Sequence, residues 1–205
     1  MASRDEVLRA VRRGQPALVE HPGTAGLGVR FPDPVARFAE VVVEVGSACV
    51  RAPDLAAADR ALRLLPVHRN ARRIASLVPG VGGATFDPGA VADPHQLDGL
   101  DLCILPAELG VAENGAAWID VRNFPHQALF VIPEHVAVVV RADSVVHDMH
   151  QAYERLRHAK GFALFLGGPS KTADIEQALV IGAHGARSCT VLLVGGVESS
   201  PGVRP

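Results

Sequence analysis

The sequence predicts an α/β fold with a mainly parallel central sheet. Short apolar runs, of the kind that form strands buried on both faces, alternate with helix-length segments near both ends of the chain. The middle of the chain is different, because Gly, Pro and Asn separate its apolar runs and no helical period links most of them. We therefore expect a central sheet flanked by helices on both faces, with a small β-rich insertion.

Composition and charge exclude several classes of function. Lys and Arg total 20 against 22 Asp and Glu in 205 residues, so the chain lacks the basic surface that nucleic-acid binding needs. Uncharged apolar runs stay well short of ~18 residues and the first residues mix acids with bases, so we expect a cytoplasmic protein without a membrane span. The cysteines at 49, 103 and 189 are too scattered for a cluster or zinc site, so we expect this chain alone to bind no metal or cofactor.

The first third of the chain predicts helix, helix, strand and helix. The first helix covers residues 5–13, and the second begins at Pro34 after an Asp33 cap and ends at Gly46. The run S-A-C-V-R-A then predicts a strand, and residues 55–65 predict a third helix.

The last third predicts a return to alternation. A helix is expected from Asp143, then a strand at residues 162–166, a helix at residues 172–184 and a strand at residues 190–194. Since a helix is expected between them, we predict that these two strands are parallel neighbours or near neighbours in one sheet.

The Gly-Gly-Pro-Ser-Lys-Thr run at residues 167–172 raises the question of an anion site. A glycine turn before a helix can present free N–H groups to an anion, and Lys171 would add a charge there. The nucleotide-binding pattern G-x-x-x-x-G-K-[ST] is not met, because Ser170 and Phe165 occupy its two glycine positions. Acidic residues in the predicted first helical turn would also repel an anion. From the residues alone, an ordinary turn and helix start is favoured.

The stretch G-P-S-K-T-A-D-I-E at residues 168–176 closely resembles the signature of the LUD-domain family, which is typified by lactate-utilisation C (LutC) proteins. The later G-A-H-G-A run is similar to the family's G-x-H-G-P ending, with Ala186 in place of proline. Upstream, G-V-A-E-N-G resembles the family's A-E-T-G segment, with Asn114 in place of threonine. The resemblance is strongest over the last third and elsewhere lies mostly in the order of elements.

The resemblance implies a fold like that of the NagB/RpiA/CoA-transferase group, with residues 1–205 as one LUD domain and residues 1–30 as a peripheral N-terminal segment. It also implies an accessory, non-redox component of L-lactate oxidation to pyruvate. The iron–sulfur clusters would lie on partner proteins, and this chain's own ligand would be a small organic acid or another anion.

A second resemblance keeps an alternative open. Glu113-Asn114-Gly115 is similar to the S-E-N-G motif that carries the nucleophilic glutamate of some CoA-transferases, a residue that must be exposed and held by a tight turn. An ordinary turn between two β segments is the simpler interpretation. The alternatives to the accessory role are a stand-alone enzyme of the CoA-transferase or sugar-phosphate-isomerase kind, and a module that only docks a partner.

We predict one site formed by the two segments. Glu113 and Lys171 are the catalytic candidates. The ligand-binding candidates are Asn114, Gly115, Gly168, Ser170, Lys171, Thr172, Asp174 and Glu176. We expect Lys171, Asp174 and Glu176 to border a concave pocket at the carboxyl ends of the strands, with Glu113 near it.

Overall fold

The structure is a computed structural model, and it describes residues 3–20, 23, 26–122, 124–156, 161–174 and 177–196. Its α-helices are α1 (Arg4–Gly14), α2 (Pro34–Glu44), α3 (Leu55–Leu64), α4 (Pro66–Arg69) and α5 (Met149–Arg155). Its strands are β1 (Ala48–Ala52), β2 (Ile74–Ser76), β3 (Leu102–Pro106), β4 (Leu109–Val111), β5 (Ala116–Asp120), β6 (His135–Arg141), β7 (Val145–Val146), β8 (Ala163–Leu166), β9 (Lys171–Thr172), β10 (Val180–Ile181) and β11 (Ser188–Val194). Among the helices described, none is both long and apolar enough to cross a membrane.

The predicted parallel central sheet is present. It has five strands in the order β1-β11-β6-β3-β2, and every pairing is parallel. Side chains of successive residues point to opposite faces, so Ile104 joins a core with Leu62 of α3, while Leu105 joins a core with Phe38 of α2. Helices therefore cover both faces of the sheet, as the fold class requires.

A second sheet forms the β-rich insertion. Its four strands run in the order β7-β4-β5-β8, with β4 antiparallel to β5 and parallel to β7. Ile119 of β5 is fully buried in the same core as Phe38, so this sheet shares one face of the central sheet with α2. The insertion thus covers part of one face of the central sheet, which helices cover in a regular α/β fold.

The prediction that residues 162–166 and 190–194 form parallel neighbours or near neighbours in one sheet is wrong. β8 lies in the second sheet, antiparallel to β5, whereas β11 lies in the central sheet. Trp118 of β5 stands opposite Phe165 of β8, with ring centroids 4.7 Å apart. A short apolar run has the same pattern in either sheet, so the sequence could not show which sheet β8 joins.

The predicted helix at residues 172–184 is also wrong. Its two ends form the antiparallel hairpin of β9 and β10, with Thr172 opposite Val180. Gln177, between them, has a φ of +57°, which is incompatible with the interior of a right-handed helix. Tertiary contacts override helical propensity here, because backbone bonds from Ser170 to Ala186 and from Gly182 to Ser170 tie the hairpin's base together.

The other helix predictions hold where a local cap specifies the helix. Asp33 accepts hydrogen bonds from the N–H groups of Val35 and Ala36, and Pro34 opens α2. The helix expected from Asp143 begins later, at Met149, because the intervening valines pair with β4 as β7. Helix α1 has no buried residue. The division into one domain with residues 1–30 peripheral stays a prediction.

Candidate functional site

The two segments predicted to share a site lie side by side, because the strands that carry them are paired. β5 starts at Ala116, directly after the Glu113–Gly115 turn, and β8 ends at Leu166, directly before Gly167. Antiparallel pairing places Ala117 opposite Leu166. A Cβ added at Gly167 would lie 3.8 Å from that of Ala116. The structure therefore brings the A-E-N-G turn next to the start of the G-G-P-S-K loop.

The last turn of α2 packs against both segments. Gly115 is buried with a φ of +69°, and an added Cβ would lie 3.0 Å from the backbone nitrogen of Val42. Gly168 has a φ of +90°, and an added Cβ would lie 2.8 Å from the carbonyl oxygen of Val45. Both positions need glycine for backbone conformation and for close approach to α2. These two predicted ligand-binding glycines thus have a packing role.

Lys171 lies at the carboxyl end of the same helix. Its Nζ donates a hydrogen bond to the carbonyl of Val45, the residue that follows α2. A Cβ added at Gly46 would lie 3.1 Å from this Nζ, so the ammonium group rests against the turn that ends the helix. A cation stabilises the unpaired carbonyls at a helix end. Lys171 is nevertheless exposed, so solvent and any partner can reach it.

Glu113 lies at the start of a different helix. Its Oε2 accepts a hydrogen bond from the N–H of Met149 at 3.0 Å, where α5 begins after its Asp148 cap. The Oδ1 of Asn114 accepts from the N–H of Ala116 at 3.0 Å, which closes a tight turn. Glu113 and Asn114 are both exposed. The segment is therefore a turn between β4 and β5 that also presents an oriented, accessible carboxylate.

The remaining predicted ligand-binding residues belong to the hairpin or to its base. The hydroxyl oxygen of Ser170 accepts from the N–H of His184 at 3.4 Å, and that of Thr172 accepts from the N–H of Asp174 at 3.2 Å. Asp174 is exposed at the tip, and Glu176 lies outside the described residues. The pocket expected beside Lys171 and Asp174 stays a prediction.

A cleft that sequence reasoning missed opens at the carboxyl ends of β2 and β3. It has a volume of about 360 Å³, and Leu77, Pro106 and Asp120 are among the residues that line it. The Arg122 guanidinium donates to Asp120 and holds the pKa of that carboxyl below its usual value. Open parallel sheets bind ligands at this edge. In the sequence, only the D-x-R spacing of Asp120 and Arg122 pointed to this cleft. Such a spacing is also typical of an ordinary surface ion pair.

The three cysteines lie on three different strands of the central sheet. Cys103 on β3 and Cys189 on β11 are buried free thiols, and burial raises their pKa values to about 12 and about 11. The expectation that this chain alone binds no metal or cofactor stays a prediction. Within the described ranges, no three His, Cys, Asp or Glu side chains are grouped so that they could hold a metal ion.

A model of a known protein family matches the second half of the chain. Residues 94–194, which include β3 and every later strand, match the model of the LUD domain. This stretch is a LUD domain. The matched range begins after β2, so β1, β2 and helices α1 to α4 precede this LUD domain.

Several relatives carry the name lactate utilisation protein C. The protein of that name from Deinococcus radiodurans is 33% identical over 104 residues, which are 49% of this chain and 49% of that protein. The one from Bacillus pumilus is 34% identical over 91 residues, or 41% of this chain and 38% of that protein. The chain thus matches about half the length, or less, of these curated relatives.

A solved structure supports the fold independently. The crystal structure of a DUF162 family protein from Deinococcus radiodurans superposes with a TM-score of 0.58 at 19% identity. The match covers 82% of this chain and 99% of that one. At this identity the likeness concerns the fold alone, and it extends over elements that precede the LUD-domain match.

Proposed function

We propose that this LUD-domain protein is a non-redox accessory component of a system that oxidises L-lactate to pyruvate, with iron–sulfur lactate-utilisation proteins as its partners. The similarity to proteins named lactate utilisation protein C supports the metabolic context. Oxidation of a 2-hydroxy acid needs an electron acceptor such as a nicotinamide, a flavin or a metal centre. The proposal assigns that acceptor to the partners and assigns binding to this chain.

The observation that carries the docking role is the exposure of the segment that resembles the family signature. This segment contains β9, the first strand of the β9–β10 hairpin, in which Leu179 is 66% exposed and Ile181 is 52% exposed. Neighbouring exposed apolar side chains beside an exposed cation, Lys171, fit a surface that a partner protein covers. We therefore place the docking surface on this hairpin.

The test is reconstitution with purified cluster-bearing lactate-utilisation proteins. With an artificial electron acceptor, this chain alone is expected to leave L-lactate unchanged, and turnover is expected only after the partners are added. The double change Leu179→Glu, Ile181→Glu should weaken assembly by ~tenfold or more, because it buries charge in the interface. Leu64→Glu, at a position on α3 that is 75% exposed, is the matched control and should assemble normally. Sustained turnover by the chain alone, or normal assembly of the double variant, contradicts the proposal.

One observation favours a second candidate, a CoA-transferase-like enzyme. Glu113 is exposed on a tight glycine turn, and the N–H of Met149 orients its carboxylate. In such a reaction the carboxylate attacks the thioester carbonyl, forms an acyl anhydride and releases the CoA thiolate. That thiolate then attacks the glutamyl carbonyl, which gives a glutamyl-CoA thioester and releases the acyl group as a free carboxylate.

Mass spectrometry of the intact protein after incubation with acetyl-CoA separates the two candidates. The accessory role predicts an unchanged mass. A CoA adduct that disappears in Glu113→Gln would favour the enzyme instead.

A further inference from the structure

A closed, glycine-rich loop follows β2, the edge strand of the central sheet. The carbonyl of Ile74 accepts hydrogen bonds from the N–H groups of both Thr85 and Phe86, each at 2.9 Å. The N–H of Ile74 donates to the Oγ1 of Thr85, also at 2.9 Å. The run S-L-V-P-G-V-G-G-A thus leaves β2 at its carboxyl end, the end at which α/β folds bind ligands, and the chain then returns beside Ile74, the first residue of the strand.

Two helices hold the middle of this loop. The N–H of Gly82 donates to the Oδ1 of Asp59 on α3 at 2.7 Å, and the carbonyl of Gly82 lies 2.8 Å from the Nε2 of His68 on α4. A Cβ added at Gly82 would lie 2.5 Å from the Cδ1 of Ile104, so the loop is pressed against the core. Its backbone conformation is therefore fixed before any ligand arrives, which lowers the entropy cost of binding.

The loop presents backbone donors that the described residues leave unused. Within the described part of the chain, the N–H groups of Gly80, Gly83 and Ala84 donate to no acceptor. Gly80 and Gly83 have φ values of +78° and +56°. Glycines with positive φ turn successive N–H groups in a way that creates concave anion sites in other loops.

An arginine from α3 completes the cluster of donors. The Nε of Arg63 donates to the Oδ2 of Asp59 at 2.8 Å, and Asp59 is thereby bonded through both of its oxygens. The terminal nitrogens of Arg63 lie beside the loop, since a Cβ added at Gly83 would be 2.7 Å from one and 2.9 Å from the other. In the ranges that the structure describes, these two nitrogens have no acceptor. Asp59 thus orients a guanidinium whose outer edge remains available.

A cleft of 260 Å³ joins these groups. Arg63, Gly80, Gly83 and Ala84 line it, and Ser76 and Val78 are also among its lining residues. This volume lies near the lower end of ligand clefts, which begin at about 300 Å³, so only a small ligand fits. The geometry points to a binding site for a small oxyanion, a carboxylate or a phosphate, held by the free N–H groups of the loop and by the Arg63 guanidinium. The site shares no residue with the hairpin. The outcome of its test is therefore independent of the proposed docking role, which can fail or hold separately.

Nuclear magnetic resonance of the ¹⁵N-labelled protein tests this site. Sodium L-lactate and sodium phosphate are titrated separately at constant ionic strength. Saturable shifts are expected at the amides of Gly80, Gly83 and Ala84, and the anion that saturates them at lower concentration identifies the ligand as a carboxylate or a phosphate. Arg63→Gln should weaken this binding by ~tenfold or more, because a charge-assisted hydrogen bond is lost.

Arg60→Gln is the matched control, since Arg60 is an exposed arginine on the same helix and lies outside the residues that line the cleft. It should bind as the unchanged protein does. Absence of saturable shifts at the three amides with both anions overturns the proposal, and so does equal affinity in the two variants. If Arg63→Gln does not fold, the titration of the unchanged protein decides, because shifts confined to other amides place the anion elsewhere.

Discussion

Gly115→Ala is expected to lower the free energy of unfolding by about 2–4 kcal/mol. At a φ of +69° any side chain is strained, which by itself costs roughly 1–2 kcal/mol. In addition, the new Cβ would lie 3.0 Å from the backbone nitrogen of Val42 and 3.1 Å from the carbonyl carbon of Val41. These are backbone atoms inside α2, so relief requires the helix or the turn to move. Urea unfolding followed by circular dichroism measures the loss.

Gly195→Ala separates the backbone strain at positive φ from the close contact with α2. Gly195 has a φ of +88°, and an added Cβ would meet no atom of the described residues within 4 Å. This variant carries only the conformational cost, about 1–2 kcal/mol, so it should be clearly more stable than Gly115→Ala. If both variants lose the same free energy, the close approach to α2 adds nothing and the packing role assigned to Gly115 is wrong.

The contrast between α2 and the hairpin shows what could be predicted from the sequence. Asp33 specifies the start of α2 by accepting hydrogen bonds from residues two and three positions away, and Pro34 fits the first helical position, so the sequence alone was sufficient there. The helical pattern after Thr172 was equally local, yet bonds from Ser170 to residues on the far side of the segment fixed a hairpin instead. Local signals predict an element correctly only where no distant contact competes with them.

The candidate site was predictable to a similar extent. The family resemblance selected two segments, and strand pairing does bring them together at Ala116 and Gly167. The partners of the chosen side chains were beyond sequence reasoning, since Glu113 bonds a residue 36 positions away and Lys171 bonds one 126 positions away. No periodicity or spacing encodes such contacts. They appear only once the sheets have assembled and placed the ends of α2 and α5 beside these loops.

Lys171→Ala is expected to reduce turnover of the reconstituted assembly by ~tenfold or more, because a charge-assisted hydrogen bond to an anionic group is worth roughly 1.5–3 kcal/mol. This expectation follows from the proposed function, in which the exposed hairpin meets its partner or ligand. The change should lower the free energy of unfolding by only about 0.3–1 kcal/mol, since the bond to Val45 is made at an exposed helix end. Turnover and urea unfolding are measured on the same preparations.

Arg155→Ala is the matched control for Lys171→Ala. Arg155 is also an exposed cation near a helix end, and it donates to the carbonyl of Ser144 at 3.3 Å. Its loss should change stability by a similar amount and leave turnover intact, because it lies outside the hairpin. Lys171→Arg keeps the positive charge and should retain part of the turnover, although a guanidinium differs in geometry from an ammonium. If the turnover of Lys171→Ala falls only in proportion to the fraction unfolded, the role of Lys171 is only to stabilise the end of α2. The functional part of the site must then be sought at Glu113 or on the apolar side chains of the hairpin.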